Sequence, residues 1–133
     1  MLNSNGNILW THSVPDGECI YSTDEQVYNG FLVDGIYTSD LDQGGDTELL
    51  VVFVHNNFFP CKLVVLSMVG DILAEHWHPG YIRTIATGKV GESEDILVVV
   101  SASNNALKTE FWNPQTIFAF RGLDIAGYAP PYD

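Results

Sequence analysis

Basic residues are scarce in this sequence and absent from its first part. Lysine and arginine occur only after position 61, whereas acids occur throughout, and the formal net charge is −12. A surface of that sign repels phosphate groups and anionic lipid headgroups. The composition therefore argues against nucleic acid and membrane surfaces as partners. Cations, basic proteins and neutral sugars stay open, and so does an acidic surface that binds no ligand.

Cysteines and long apolar runs are also few. The spacing of Cys19 and Cys61 matches no zinc knuckle and no CxxC motif, which favours two separate buried thiols over a disulfide. The longest apolar runs, Leu49–Val54 and Ile96–Val100, are far shorter than a membrane-spanning helix. We expect neither a signal peptide nor a transmembrane segment in this chain, and the sequence assigns no location in the cell.

Catalytic motifs are missing as well. The chain contains no nucleophile elbow, P-loop, dinucleotide fingerprint or HExxH sequence. Nothing places two carboxylates at the spacing that glycoside hydrolysis requires. We therefore expect a protein that is not an enzyme, and a hydrolase remains an alternative that only analogy between folds would support.

What the sequence does have is a series of short segments rich in β-branched and aromatic residues, bounded by turn-forming residues. No window shows a sustained helical stripe of apolar residues, so we expect little helix. The pattern predicts an all-β domain of antiparallel strands over residues 1–121. The candidate strands are 7–12, 30–39, 48–54, 62–67, 71–77, 81–87, 95–101, 108–112 and 116–120.

An internal repeat organises these segments into approximate copies, 2–57 and 66–105. Residues 2–15 and 66–79 share leucine, glycine, isoleucine, leucine, histidine and proline at equivalent positions. Further on, Glu48–Val52 is equivalent to Asp95–Val99. The spacing between the two matches differs, which indicates an insertion in the first copy, and residues 16–36 are its expected place.

The two apolar runs also predict how the strands pack. Both are apolar at every position, whereas a strand with one wet face alternates between apolar and polar residues. Both faces of these strands must therefore be covered, and sheets stacked face to face cover them.

The acidic segment before the first apolar run, Asp40-Leu-Asp-Gln-Gly-Gly-Asp-Thr-Glu48, resembles the loop of FG-GAP/VCBS-type β-propeller repeats. That resemblance, which covers roughly residues 1–120, implies propeller blades and a calcium-binding loop. It assigns Asp40, Asp42 and Glu48 as ligands, with Asp46 as a substitute for the fifth loop position, where glycine replaces the usual Asp or Asn. The later copy, residues 88–95, has lost the first two acids. A tight turn that binds no metal is the alternative for the loop.

The chain is short for a complete propeller, which has about four to eight blades of four strands. It supplies strands for roughly two to three blades, and it begins close to a glycine turn in the middle of one. We expect either association with copies of itself or completion by further blades of a longer chain. The function expected is a non-catalytic binding or scaffolding module that associates through blade faces. The alternative is a small β-barrel or sandwich that binds a small molecule or carbohydrate in an aromatic pocket.

Three further groups of residues are candidates for function. Aromatic residues for such a pocket are Trp10, Trp77, Tyr81 and Trp112, which would otherwise pack in the core. His76 and His78 lie two residues apart on a predicted strand, so their rings share a face and form half of a metal site. A structural role is the other interpretation, because His12 is the repeat equivalent of His76. Residues 122–133 form a Gly/Pro-rich tail that we expect to be irregular and unattached.

Overall fold

The computed structural model describes residues 1–14, 28–56, 60–105 and 114–127. Within these ranges the protein is all-β, with seven strands and no helix, as the sequence predicts. The strands are β1 (Phe31–Ser39), β2 (Glu48–His55), β3 (Cys61–Leu66), β4 (Ile72–His78), β5 (Ile82–Lys89), β6 (Ile96–Ser103) and β7 (Gln115–Arg121). In the described part of the chain, no helix has the length and apolarity needed to cross a membrane.

Each strand corresponds to a predicted segment, and two predictions need comment. Residues 7–12 do not form a regular strand, because their pairing with residues 1–3 is limited to one bridge, Leu2 with Ile8. Residues 108–112 lie outside the described ranges.

The strands form two antiparallel sheets in which chain neighbours are also neighbours in space. One sheet has the order β1-β2-β3-β4 and the other has the order β5-β6-β7. Their facing side chains make one core, to which β2, β3 and β6 contribute Leu50, Val52, Leu63, Val98 and Val100. We call the two surfaces that point away from this core the outer faces of the four-stranded and the three-stranded sheet.

The expectation that both apolar runs are covered on both faces is confirmed for β2 and only half confirmed for β6. In β2, every residue from Leu50 to Val54 is buried, whichever face it occupies. In β6, Val98 and Val100 are fully buried in the core, whereas Leu97 and Val99 point to the outer face and are half-buried. The three-stranded sheet therefore has an outer face that the described residues leave partly uncovered.

Residues 1–12 form a hairpin that lies on the outer face of the four-stranded sheet. Backbone hydrogen bonds from Leu9 N to Met1 O (3.0 Å) and from the amino group of Met1 to Trp10 O (2.8 Å) close it. Trp10 and the following Val14 pack against Val51 and Phe53 in a second apolar cluster. This hairpin explains why β2 is covered on both faces.

The turn of this hairpin repeats the β3–β4 turn in atomic detail. In the first turn, Asn3 N donates to Asn7 O (2.9 Å) and Gly6 N to Asn3 O (3.0 Å). In the second, Ser67 N donates to Asp71 O (2.9 Å) and Gly70 N to Ser67 O (3.0 Å). The side chains of Asn3 and Ser67 accept the same backbone hydrogen bonds within their turns. The sequence repeat is thus a repeat of structure at this position.

The two equivalent hairpins are stacked on each other through Trp10. Its indole Nε1 donates a hydrogen bond to Met68 O (3.0 Å). Its ring lies against Gly70, where a Cβ atom would come within 2.8 Å of the indole. Glycine is therefore required at this position for contact between layers as well as for its positive φ of 97°.

The described part of the predicted tail, residues 122–127, is irregular but firmly packed. Ile125 is buried in the core between the sheets. Gly122 N donates to Ile96 O (2.7 Å) and Trp77 N donates to Gly127 O (3.0 Å), so the segment runs from β6 to the edge of β4. The prediction of an unattached terminus is wrong for these residues, because an apolar side chain and backbone hydrogen bonds hold them.

Candidate functional site

The acidic loop joins β1 to β2 and brings three of its four predicted ligands together. Each of Asp40, Asp42 and Glu48 offers a carboxylate oxygen, and these oxygens all lie within 4.8 Å of one another. Glu48 is the first residue of β2 and pairs with Ser39, the last residue of β1, which fixes the two ends of the loop. Positive φ values at Gln43 (60°) and Gly45 (91°) fold the loop back on itself.

Hydrogen bonds from the loop backbone orient the three carboxylates. Leu41 N donates to Glu48 Oε2 (2.6 Å), Gly44 N to Asp42 Oδ1 (2.7 Å) and Gly45 N to Asp40 Oδ2 (3.1 Å). The other oxygen of Asp40, Oδ1, is buried and has no hydrogen-bond partner among the described residues. Clustered, oriented carboxylate oxygens are the donor set that a hard cation such as calcium prefers.

Position 44 of the loop has little room for a side chain. A Cβ atom on Gly44 would lie 2.8 Å from Asp42 Oδ1, so this loop cannot hold a side chain there without moving Asp42. Asp46 is exposed and lies outside the cluster of three acids, so it would supply a ligand only if the loop rearranged. Any cation held here would take its remaining oxygens from backbone carbonyls or water.

In the second copy of the loop, two acids form ion pairs with basic side chains. Lys89 Nζ lies 2.8 Å from Glu94 Oε2, and Arg121 lies 3.7 Å from Asp95. The hydrogen bond from Lys89 lowers the pKa of Glu94. A cleft of about 300 Å³ separates the two loops, and Gln43 Nε2 bridges them by donating to Glu94 O (2.6 Å).

The aromatic residues predicted to form a pocket are divided between opposite faces of the four-stranded sheet. Trp10 and Trp77 belong to the cluster on the outer face, and Trp77 is only 2% exposed. Tyr81 packs against the core between the sheets, where its hydroxyl donates to Asp34 Oδ2 (2.8 Å) and this hydrogen bond raises its pKa. Trp112 lies outside the described residues.

Beside Trp10 the outer face of the four-stranded sheet is open. An apolar groove of about 450 Å³ runs between the hairpin of residues 1–12 and strands β1 and β2. Val33 and Ile36 of β1 line it and are 53% and 62% exposed. No sequence motif marked these two residues, because a sequence does not say which side of a sheet is left uncovered.

His76 and His78 share a face, as predicted, and that face is the inside of the protein. His78 stacks on Phe118 with ring centroids 5.3 Å apart, and His76 contacts Phe120 at 5.0 Å. His76 Nδ1 donates to Ala126 O (3.1 Å) and His78 Nε2 to Ser103 O (2.8 Å). The other nitrogen of each ring has no hydrogen-bond partner within the described ranges. Burial lowers the pKa of both, that of His78 to about 4. Among the described acids and cysteines, none gathers around the pair to complete a metal shell.

Cys61 is a free thiol in the core and not a nucleophile presented to solvent. It is fully buried at the start of β3, and burial raises its pKa to about 12. Cys19, its predicted counterpart as a separate thiol, lies outside the described residues.

Comparison of this chain with protein-family models, with curated proteins and with solved structures gives no match. The acidic loop, the apolar groove and the stacked layers are therefore the features that bear on function.

Proposed function

We propose that this chain is a non-catalytic binding and scaffolding module built from β-propeller-type repeats, which associates with copies of itself through the faces of its sheets. The observation that carries the proposal is the stacking of equivalent hairpins. Residues 1–12 lie on residues 65–76 as one layer lies on the next, so the chain reads as successive layers of one repeat. Repeats of this kind need neighbours to bury their faces.

The uncovered surfaces support association over an isolated monomer. On the outer face of the four-stranded sheet, Val33 and Ile36 stand beside an apolar groove. On the outer face of the three-stranded sheet, Ile117 is 78% exposed next to the half-buried Val99. Apolar residues grouped on a sheet face, in contrast to single exposed ones, are typical of surfaces that bind another protein.

A non-enzymatic role fits the positions of the groups whose pKa is displaced most. Cys61 and His78 are buried in the core between the sheets. Catalytic acids, bases and nucleophiles need access to a substrate, so these displaced pKa values indicate core packing.

Solution mass tests the association. Light scattering coupled to size exclusion should give a multiple of the 14.7 kDa chain mass at micromolar concentration. A monomer at every concentration up to about 100 μM would contradict the proposal. It would put the dissociation constant near 1 mM or above, which corresponds to a binding free energy of only about 4 kcal/mol.

We also propose that the acidic loop binds a calcium ion through Asp40, Asp42 and Glu48. The three oxygens that lie within 4.8 Å of one another, with one buried oxygen of Asp40 lacking a partner, support the proposal. Without a cation, three carboxylates this close repel one another. The ion would hold the loop between β1 and β2 in one conformation and would have no catalytic role.

Paired variants of the loop test calcium binding. Titration calorimetry with calcium chloride should give one site in the unmodified chain, and Asp42→Asn should weaken it at least tenfold. Asp46→Asn is the matched control, since it removes the same charge from the same loop but lies outside the cluster. Equal losses in the two variants, or no heat with the unmodified chain, would show that no site is formed by the cluster.

A further inference from the structure

The internal repeat shows which surface normally covers each face of a sheet. In the four-stranded sheet, Leu50 and Val52 of β2 point inward and are buried by the three-stranded sheet. Their repeat equivalents in β6 are Leu97 and Val99, which point to the outer face and are half-buried. The outer face of the three-stranded sheet therefore corresponds to a surface that another sheet covers elsewhere in the same chain.

At the opposite end of the stack, the described residues form only part of a layer. The hairpin of residues 1–12 is equivalent to the end of β3 and the start of β4, the last part of a four-stranded layer. On the outer face of the four-stranded sheet this hairpin is flanked by the apolar groove, where the first strands of such a layer would lie. The β5-β6-β7 sheet contains the other part of such a layer. Within the described residues it has the first, second and third strands and no fourth.

From this complementarity we infer that a second copy of the chain occupies the groove head to tail, with its β5-β6-β7 sheet against Val33 and Ile36. This inference rests on the proposed self-association and specifies its geometry. The contact is heterologous, so each copy uses two different surfaces.

Charge favours these two faces over the rest of the surface. The chain carries a net charge of −12, so two copies repel each other in most orientations. The groove is lined by residues without a charged side chain. On the outer face of the three-stranded sheet, the inward-outward alternation places Leu97, Val99, Ile117 and Ala119 together. At the end of this face, the charge of Arg121 is matched by Asp95 at 3.7 Å, so the surface carries no net charge.

Two substitutions, one on each surface, test the head-to-tail contact. Ile36→Asp places a charge in the groove, and Ile117→Asp places a charge on the outer face of the three-stranded sheet. Both residues are more than half exposed, so the fold should be unaffected. Each variant alone should weaken assembly at least tenfold and stay monomeric. Mixed in equal amounts, they should form a one-to-one complex, because each keeps the surface that the other has lost. Labelling one variant with ¹⁵N identifies the mixed complex by native mass spectrometry.

The outcomes separate this inference from the function on which it rests. Assembly of the unmodified chain together with a mixture that stays monomeric, or a single variant that still dimerises, would overturn the head-to-tail geometry and leave self-association standing. A monomeric unmodified chain would overturn both. Val69→Asp, at an exposed turn position outside both surfaces (74% exposed), is the control and should assemble like the unmodified chain.

Discussion

At the scale of single residues, the burial of the two histidines of β4 opposes their protonation. Their rings fill the space between the sheets against Phe118 and Phe120, and in the described part of the chain each has one nitrogen without a hydrogen-bond partner. A neutral imidazole with one donated hydrogen bond is tolerated there, whereas an imidazolium would bury a second, unpaired donor together with its charge. His78 is the more enclosed of the two, with 1% of its surface exposed against 5% for His76.

Acid should therefore destabilise the protein through His78. Its pKa is lowered from 6.5 to about 4, first by burial, so the unfolded chain binds a proton that the folded chain does not. Stability is fully retained above about pH 6.5 and falls as the pH decreases toward 4. The linked loss is roughly 3 kcal/mol at most. Urea unfolding at pH 7, 6, 5 and 4 measures it.

The variant His78→Gln isolates this effect from the titration of carboxylates. Glutamine can still donate to Ser103 O but does not titrate, so the difference between the two proteins should shrink toward acid pH. Parallel pH profiles for the unmodified chain and the variant would show that His78 does not control acid stability.

At the scale of elements, the two equivalent turns differ in what surrounds them. Gly6 and Gly70 both have positive φ, 78° and 97°. A Cβ at Gly6 would meet nothing within 4 Å, whereas at Gly70 it would meet the ring of Trp10. The same residue type thus serves the turn alone in one copy and the turn plus the layer contact in the other.

Gly70→Ala should cost more stability than Gly6→Ala. Both changes force a side chain into the left-handed region, at about 1–2 kcal/mol. Gly70→Ala must in addition displace the indole and should cost at least about 1 kcal/mol more. Denaturant unfolding of both variants checks the difference.

Repeating the substitution in a Trp10→Ala background supplies the control. With the indole gone, Gly70→Ala should cost no more than Gly6→Ala, because only the backbone penalty remains. An unchanged excess cost in that background would mean that Trp10 is not the cause.

The elements themselves were largely predictable, and the exceptions have physical reasons. The strands from β1 to β7 follow from apolar runs between turn residues, a signal local to the chain. Residues 7–12 have the same local pattern as β4 but lack a neighbour of sufficient length within the described chain, so they make one bridge. Residues 122–127 looked unattached because no sequence signal shows that Ile125 meets the core.

The candidate site was predictable to the same extent. Loop spacing identified Asp40, Asp42 and Glu48, and the structure brings them together. Asp46 lies outside this cluster, after the residues with positive φ, Gln43 and Gly45, that fold the loop. The groove was not predictable at all, since its walls come from residues far apart in the chain.

At the scale of the whole molecule, the net charge of −12 opposes the proposed association, and salt should relieve it. Raising the ionic strength from 0.01 M to 0.1 M shortens the Debye length from about 30 Å to about 10 Å. We expect self-association, measured by sedimentation in the presence of EDTA, to strengthen over this range. Ile117→Asp should remain monomeric throughout, and association that weakens with salt would indicate that attraction between charges holds the copies.

The sequence by itself determined those features of the protein that depend on residues adjacent in the chain. This includes the strands, the turns with their glycines, the repeat, and the carboxylates of a single loop. Tertiary structure alone decided which faces are buried: His76 and His78 inside, Val33 and Ile36 outside, Leu50 covered and Leu97 only half-covered. The reason is that alternation along a strand says which residues share a face, whereas burial of that face depends on segments distant in the chain that pack against it.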